Sequence, residues 1–310
     1  MHVVPTALLI ANPSASQFTG GGFRQIRTTL ARNYDLTTEW PVSADEAEIA
    51  ARGAAERGVD AVFAMGGDGV AHHVANALVG TATALGLIPV GTTNVLARIL
   101  GVPMKPTGAA DAAITYTPLA TRMVRIDAET DVGHLTRYAT FSVGFGFDAD
   151  VVEVAEARPF AKSRFGGLYY ASTAVTRLIS TWRSETPNIR MESGGRRFDA
   201  VAALTQVHDP YTYFGRFPLR LTSNPPEGVA TLAANDLGVR RAAEIFSRAA
   251  IGVDHRPATG ICVWENYESL TLEADPITPF QADGEMLGHA HSATLSPVED
   301  AILVLRPDVR

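Results

Sequence analysis

Cysteine is almost missing from this chain: Cys262 is the only one in 310 residues. No intrachain disulfide and no thiolate metal cluster can form, and an intracellular compartment is expected. Lysine is nearly as scarce. Lys105 and Lys162 are the only two, and neither follows a Gly-x-x-x-x-Gly frame, which excludes a Walker-type P-loop. No window holds about 18 uninterrupted apolar residues, so no transmembrane helix is expected. Met1-His2-Val3-Val4-Pro5 lacks a basic segment leading into an apolar one, so no signal peptide is expected. Positive charge is not in excess either. With 26 basic and 33 acidic residues the net charge is −7, and a general nucleic-acid-binding face is not expected.

What is present points to a globular enzyme. The length allows two domains with substantial cores, and 46% hydrophobic with 19% charged residues suits packed interiors. The organising stretch is Val59–Asn76. An apolar run ends in Gly66-Gly67-Asp68-Gly69, and a helical pattern starts at once. Glycines let backbone approach a ligand closely, and the amides of such a turn and of the following helix start form an anion site. Asp68 beside phosphates would be repelled unless a metal or a transferable proton were there. Metal-assisted phosphoryl chemistry therefore fits better than passive binding; a plain strand-to-helix turn is the alternative.

Thr6–Asn12 reads as a buried parallel strand ending in Asn12-Pro13-Ser14-Ala15-Ser16. The pattern predicts a helix over Phe23–Leu30, a strand near Leu36–Trp40, and a helix from Ser43 to Arg57. Ser43 and Glu46 form its capping box, and Gly58 stops it. Leu85–Val90 is another buried strand, ending in Gly91-Thr92-Thr93-Asn94 before a helix over Val95–Leu100. Three strands thus end in small or polar turns. In an open parallel sheet these turns share the carboxyl edge, where such folds bind ligands. From Leu119 onward strand-like runs predominate: Met123–Asp127, Tyr138–Gly144, Phe198–Gln206, Gly228–Ala234, Gly260–Val263, Ser269–Glu273, Ala293–Leu295 and Ala301–Leu305. Helical patterns remain only over Asp148–Ala157 and Phe165–Trp182. A first domain over 1–122 and a β-rich second over 123–310 are expected, the last strand able to return to the first domain.

Several other features carry weaker signals. Gly144-Phe-Gly146-Phe-Asp148-Ala149 fits a dinucleotide fingerprint, but Asp148 would sit where pyrophosphate approaches, and no strand ending in an acid follows at the right distance. A glycine-rich packing turn aiming Asp148 at the cleft fits better. His72 and His73 are adjacent and point to different helix faces, so they cannot share a metal. His289 and His291 lack a further ligand, and Cys262 beside Trp264 reads as core. Tyr211–Pro218 is rich in aromatics, either a lipid-facing patch or half-buried packing. Leu168–Ile179 is either a helix on a core or the lining of an acyl-chain slot. In Phe280-Gln281-Ala282-Asp283-Gly284-Glu285, two carboxylates flank a glycine. On a strand they would share one face and point into the crevice, one for a metal water network and one to take a proton. A solvated turn is the alternative.

Together these blocks resemble the lipid kinases with a diacylglycerol-kinase catalytic domain. Asn12-Pro13-x-x-Ser16 is similar to the family's opening loop and Gly66-Gly67-Asp68-Gly69 with Asn76 to its central signature. Ile88-Pro-x-Gly91-Thr92-x-Asn94 with Ala97-Arg98 and Gly101-Val102-Pro103 is similar to its third block, and Asp283-Gly284-Glu285 to its late acidic motif. NAD kinases and phosphofructokinases share Gly-Gly-Asp-Gly but not the third block. The resemblance implies an NAD kinase/diacylglycerol kinase-like fold: an N-terminal three-layer α/β domain with a parallel sheet, a β-sandwich-like C-terminal domain, and ATP in the cleft between them. It implies Mg²⁺-dependent transfer of the ATP γ-phosphoryl to a lipid hydroxyl, diacylglycerol favoured, in phospholipid biosynthesis. The acceptor would lie at a membrane surface, with the protein cytoplasmic and peripheral to it. A sheet edge in the β-domain would suit a homodimer.

The same resemblance assigns nucleotide binding to Asn12, Pro13, Ser14, Ala15, Ser16, Gly66, Gly67, Asp68, Gly69, Val70, His73, Gly91, Thr92 and Asn94. Glu285 or Asp283 would accept the proton, ahead of Asp68. Four positions depart from the family pattern. Val70 replaces a threonine, His73 a glutamate and Ala15 a glycine, and Glu227-Gly228 replaces an Asp-Gly that carries magnesium. Asn224 and Glu227 are the remaining metal candidates. Two further readings stand beside diacylglycerol kinase: a kinase for sphingoid bases or other long-chain alcohols, and a lipid- or nucleotide-binding protein with weakened catalysis.

Overall fold

The computed structural model describes residues 4–156, 186–223 and 228–308. The helix expected over Phe165–Trp182, the stretch Leu168–Ile179 and the metal candidates Asn224 and Glu227 lie outside these. The chain divides into two compact units, residues up to 122 together with those from 299 onward, and Met123–Val298.

Unit one is built on short apolar strands: β1 (Thr6–Ala11), β2 (Asp35–Glu39), β3 (Ala61–Gly66) and β4 (Ala84–Pro89). They pair in parallel in the order β2-β1-β3-β4, and Leu303–Leu305 add a further parallel strand beside β4. Every residue of β3 and β4 is buried. Both sheet faces are therefore covered, which is why these runs are apolar throughout rather than alternating. The cover comes from two helix pairs, α1 (Gly20–Leu30) with α5 (Pro106–Ala113), and α2 (Ala44–Glu56) with α3 (Asp68–Leu78). The short α4 (Val95–Ile99) follows β4. Ser43 caps α2 by accepting from the Glu46 amide at 3.2 Å. Glu46 reaches back to the Val42 amide at 2.9 Å, one residue short of the reciprocal bond a capping box makes. Gly58 follows with φ 74°, the left-handed stop its sequence position implied.

Unit two is β-rich. β5 (Pro118–Thr130), whose residues from 123 belong here, pairs antiparallel with β6 (Gly133–Ala139). β7 (Ser142–Gly146) leads into α6 (Phe147–Glu156). Next come β8 (Ile189–Ser193), β9 (Arg196–Ala200) and β10 (Ala202–Gln206). The small hairpin β11 (Thr212–Phe214)–β12 (Phe217–Leu219) precedes β13 (Ala230–Ala234), α7 (Val239–Ile251) and β14 (Ile261–Glu265). The long strands β15 (Leu270–Ala282) and β16 (Glu285–Leu305) end the chain. Antiparallel pairing runs β14-β13-β10-β7-β15, and β15 also pairs with β8. One core joins these strands, with Phe145 and Phe280 stacked at 5.2 Å and Trp264 and Tyr267 at its margin.

Three expectations change here. The run Phe198–Gln206 is two strands, because Ala200 pairs with Ile189 of β8 while Ala202–Gln206 pairs with β7 and β13. The two short runs Ala293–Leu295 and Ala301–Leu305 belong to one continuous strand, β16. Helix α7 was not expected, although Val239, Ala242, Ile245, Phe246 and Ala249 recur at helical spacing along one face.

Candidate active site

The chemistry of unit one gathers where three strands end. Beyond β1, the Asn12 amide donates to the Met65 carbonyl at 2.9 Å, and the Asn12 side chain accepts from the Ser14 amide at 2.9 Å. The loop then crosses to the third turn: the Gln17 amide and side chain donate to the carbonyls of Val90 and Gly91 at 2.9 and 2.7 Å. Ser16 Oγ lies 3.3 Å from Thr92 Oγ1. Pro13, Ser14, Ser16 and Thr92 are exposed, and Ala15 is half-buried.

Between them sits the Gly-Gly-Asp-Gly turn. Gly67 caps α3 without a side chain, and the first helical bond runs from the Ala71 amide to the Gly67 carbonyl. The amides of Gly69 and Val70 lie ahead of that bond and have no partner among the described residues, as the first turn of any helix requires. They are a ready anion site. Asp68 Oδ1 accepts from the Leu96 amide at 3.2 Å, tying this turn to α4.

Glycine is demanded at two places. A Cβ on Gly91 would stand 2.5 Å from the Gly67 Cα, so the second and third turns touch backbone to backbone. A Cβ on Gly66 would meet the Val70 side chain at 2.5 Å. Val70 therefore packs back onto Gly66, and only its amide is directed to the helix start. Asn94 adopts φ 50° and is buried. Its side chain accepts from the Gly91 amide at 3.0 Å and donates to the Gly91 carbonyl at 2.9 Å, so it shapes the turn. A small half-open cavity of about 10 Å³, room for one water, is lined by Gly66, Gly67, Asp68, Ala71, Asn94 and Leu96. His72 is buried. His73 Nδ1 lies 3.2 Å from Glu48 on α2, and Glu48 also holds Arg52 at 2.8 Å.

In unit two the reading of Asp283 and Glu285 as neighbours on one strand face is corrected. Ala282 pairs with Glu285, and Asp283 (φ 56°) and Gly284 (φ 80°) form a two-residue turn. Asp-Gly with both φ positive is the type I′ hairpin turn, and period-two alternation does not run through it. Nor is the turn solvated: Asp283 is 3% exposed. Its Oδ2 accepts from the Thr140 amide and hydroxyl at 2.7 and 2.8 Å, and its Oδ1 from the amides of Phe141 and Ser142 at 2.8 and 3.0 Å. Four donors use up the carboxylate, leaving it an anchor. Glu285, half-exposed, has no donor against its carboxylate among the described residues.

Asp148 is likewise held. Its Oδ2 accepts from the Tyr211 hydroxyl at 2.8 Å and from Gln281 Nε2 at 2.6 Å, and a Cβ on Gly144 would collide with it. That contact and the positive φ of Gly146 explain the glycines of the Gly-x-Gly motif. Burial pushes the Asp148 carboxyl up, opposed by these two hydrogen bonds. Burial, then the charge of Asp148, raise Tyr211 well above its usual value and keep it a donor. Gln281 Oε1 accepts from the Gly284 amide at 2.8 Å, so Gln281 links Asp148 to the hairpin. Gln281 and Tyr211 were missed from sequence. The Asp-Gly turn after an apolar strand was the available signal for the first; the second stood out only as the start of the aromatic stretch Tyr211–Pro218, with no sign of its bond to Asp148. Cys262 is pushed up to about 11 by burial, which suits a core thiol.

Residues 6–126 match the model of the diacylglycerol kinase catalytic domain. This stretch is similar to that family's catalytic domain. A protein of Stenotrophomonas maltophilia named "Probable lipid kinase YegS-like" is 34% identical over 131 residues, 40% of this chain and 40% of that relative. A diacylglycerol kinase of Bacillus subtilis is 44% identical over 72 residues, 23% of this chain and 24% of its own length. The match to these curated relatives therefore spans well under half of their length. The likeness of fold extends further. A diacylglycerol kinase structure from Bacillus anthracis superposes with a TM-score of 0.70 at 17% identity, covering 98% of this chain and 97% of that one. Yeast NADH kinase with NADH superposes with a TM-score of 0.54 at 9% identity, over 99% and 84%. The catalytic-domain stretch contains all three turns of unit one, while the hairpin with Asp283 and Glu285 lies beyond it. No helix among the described residues is long and apolar enough to cross a membrane.

Proposed function

We propose that this protein is an ATP-dependent lipid kinase, transferring the γ-phosphoryl group to a lipid hydroxyl, with diacylglycerol the favoured acceptor. The observation that carries the reading is the convergence of three strand-end turns on the open amides of Gly69 and Val70, beside the Asp68 carboxylate. A phosphate chain lying over this edge would take those amides and the hydroxyls of Ser16 and Thr92.

Among the described residues no group of three or more metal-ligating side chains occurs. A single carboxylate at the turn, Asp68, fits a magnesium that arrives with the nucleotide, since Mg²⁺ commonly takes one or two carboxylates, phosphate oxygens and water. Asp68 is the carboxylate that would hold it, and the ion would supply charge neutralisation on the phosphates. The lipid hydroxyl oxygen forms the new O–P bond as the bond from the γ-phosphorus to the bridging oxygen breaks and ADP leaves. The hydroxyl proton would go to Glu285. Such transfer needs positioning and charge balance more than covalent help. The lipid acceptor makes the protein peripheral to a membrane on its cytoplasmic side.

The test is purified protein with Mg-ATP and a panel of lipid hydroxyls in mixed micelles, with NAD as a further acceptor. Labelled phosphate on diacylglycerol supports the reading, and label on a sphingoid base moves the acceptor class. Label on NAD alone, or none on any lipid despite ATP binding, overturns it. A binding protein with weakened catalysis is the second reading, favoured by Val70 and His73, which remove a hydroxyl and a carboxylate from the first two turns of α3.

A further inference from the structure

Helix α7 presents apolar side chains to solvent as well as to its own unit. Ile245 and Ala249 pack inward. Flanking them, Val239 and Phe246, seven residues apart and so on one face, are 51% and 48% exposed, and Ile251 near the helix end is 73% exposed. The β11–β12 hairpin extends this surface. Phe214 meets Phe246 edge to face at 5.8 Å, the Arg220 amide donates to the Ala249 carbonyl at 3.0 Å, and Phe217 is 66% exposed. Single exposed apolar residues are ordinary, but several exposed aromatic and aliphatic side chains on a helix and on the hairpin packed against it mark an interaction surface.

The charges around it identify what fits. Asp236 and Glu244, the carboxylates on and just before this helix, are bound to Arg241 at 3.1 and 2.8 Å, and Glu244 also to Arg248 at 3.3 Å. Arg216 at the hairpin tip and Arg240 on the helix have no ion pair among the described residues. The free charge beside the apolar group is therefore positive, in a chain whose net charge is −7. We propose that α7 and the β11–β12 hairpin form a docking surface for an anionic lipid bilayer, with Phe217, Phe246 and Ile251 entering the headgroup boundary and Arg216 and Arg240 meeting lipid phosphates. Aromatic and aliphatic tips beside arginine are the composition that binds such an interface. A second copy of the chain fits worse, because symmetric pairing would bring unpaired arginines together with the local carboxylates already engaged. The hairpin springs from Tyr211, whose hydroxyl holds Asp148, so the surface adjoins the carboxylate network. The proposal deepens the lipid-kinase reading and rests on it for its purpose.

The experiment is co-sedimentation of the full chain with vesicles of phosphatidylcholine, with and without phosphatidylglycerol. Wild type is expected to bind the mixed vesicles and to be released by salt. Arg216→Gln with Arg240→Gln should weaken binding roughly fivefold per arginine. Phe246→Glu and Phe217→Glu, both at exposed positions, should each weaken it about tenfold or more, with unchanged urea midpoints showing that they fold. Wild-type binding by these variants overturns the proposal, as does a lipid-free dimer that Phe246→Glu dissociates. Phosphoryl transfer to diacylglycerol in uncharged detergent micelles should be unaltered in all of them. Product without vesicle binding sinks the docking surface alone, whereas vesicle binding without any lipid product sinks the kinase reading alone.

Discussion

Asp283 holds Thr140 through both the amide and the hydroxyl, at 2.7 and 2.8 Å, across 143 positions of sequence. With the amides of Phe141 and Ser142 on its other oxygen, the carboxylate joins the β15–β16 turn to the start of β7. Asp283→Ala would leave three buried amides and a hydroxyl without an acceptor. A stability loss of about 3 kcal/mol or more is expected, read from urea unfolding. A loss below about 1 kcal/mol would mean that water replaces the carboxylate.

Glu285 sits two residues on, on the first position of β16, and lacks such donors. Glu285→Gln is expected to lower transfer to diacylglycerol by roughly 10²–10⁴-fold, with ATP binding and the urea midpoint unchanged. Undiminished turnover would remove Glu285 from the proton-acceptor role.

Gly91→Ala places a methyl 2.5 Å from the Gly67 Cα, where backbone rather than a movable side chain opposes it. The two turns must separate. Destabilisation of about 1–3 kcal/mol is expected, together with weakened ATP binding by equilibrium dialysis. Gly80→Ala, at a left-handed glycine (φ 71°) whose Cβ would meet nothing, strains only its own backbone and serves as the comparison. It should leave ATP binding intact; equal losses in both variants would disconnect turn contact from nucleotide binding.

Asp148 gives a pH dependence with a definite sign. Burial raises its carboxyl above the ordinary aspartate range, so the folded chain holds that proton more tightly than the unfolded chain. Its contribution to stability is therefore full below the unfolded value and is lost as pH rises through the raised folded one. Asp148→Asn removes this decline. Urea midpoints measured from about pH 4 to about pH 7 should fall less steeply for the variant than for wild type. Parallel curves would show that Asp148 titrates normally.

Much of unit one was legible because its signals are local. Buried parallel strands must be apolar throughout, and their ends must turn through small residues, so Asn12–Ser16, Gly66–Gly69 and Gly91–Asn94 announced a shared edge. Unit two was less readable. Antiparallel strands long enough to bend and change partners, as β15 does, show no single period. Helix α7 carries a legible helical spacing of apolar residues, Val239, Ala242, Ile245, Phe246 and Ala249, and was overlooked. The late acidic motif was misread because Asp283 and Glu285 were treated as strand neighbours, when Asp-Gly closes a hairpin.

By itself the sequence determined which residue types stand at the phosphate-binding edge, since close backbone approach and open helix-start amides follow from Gly-Gly-Asp-Gly wherever a strand meets a helix. It also determined that an intrachain disulfide, a thiolate metal cluster and a P-loop are excluded. Only the tertiary structure decided which carboxylates are free to act. Whether an aspartate is an anchor or a base depends on how many donors surround it. For Asp283 those donors come from Thr140, Phe141 and Ser142, brought into contact by sheet pairing that no local pattern records.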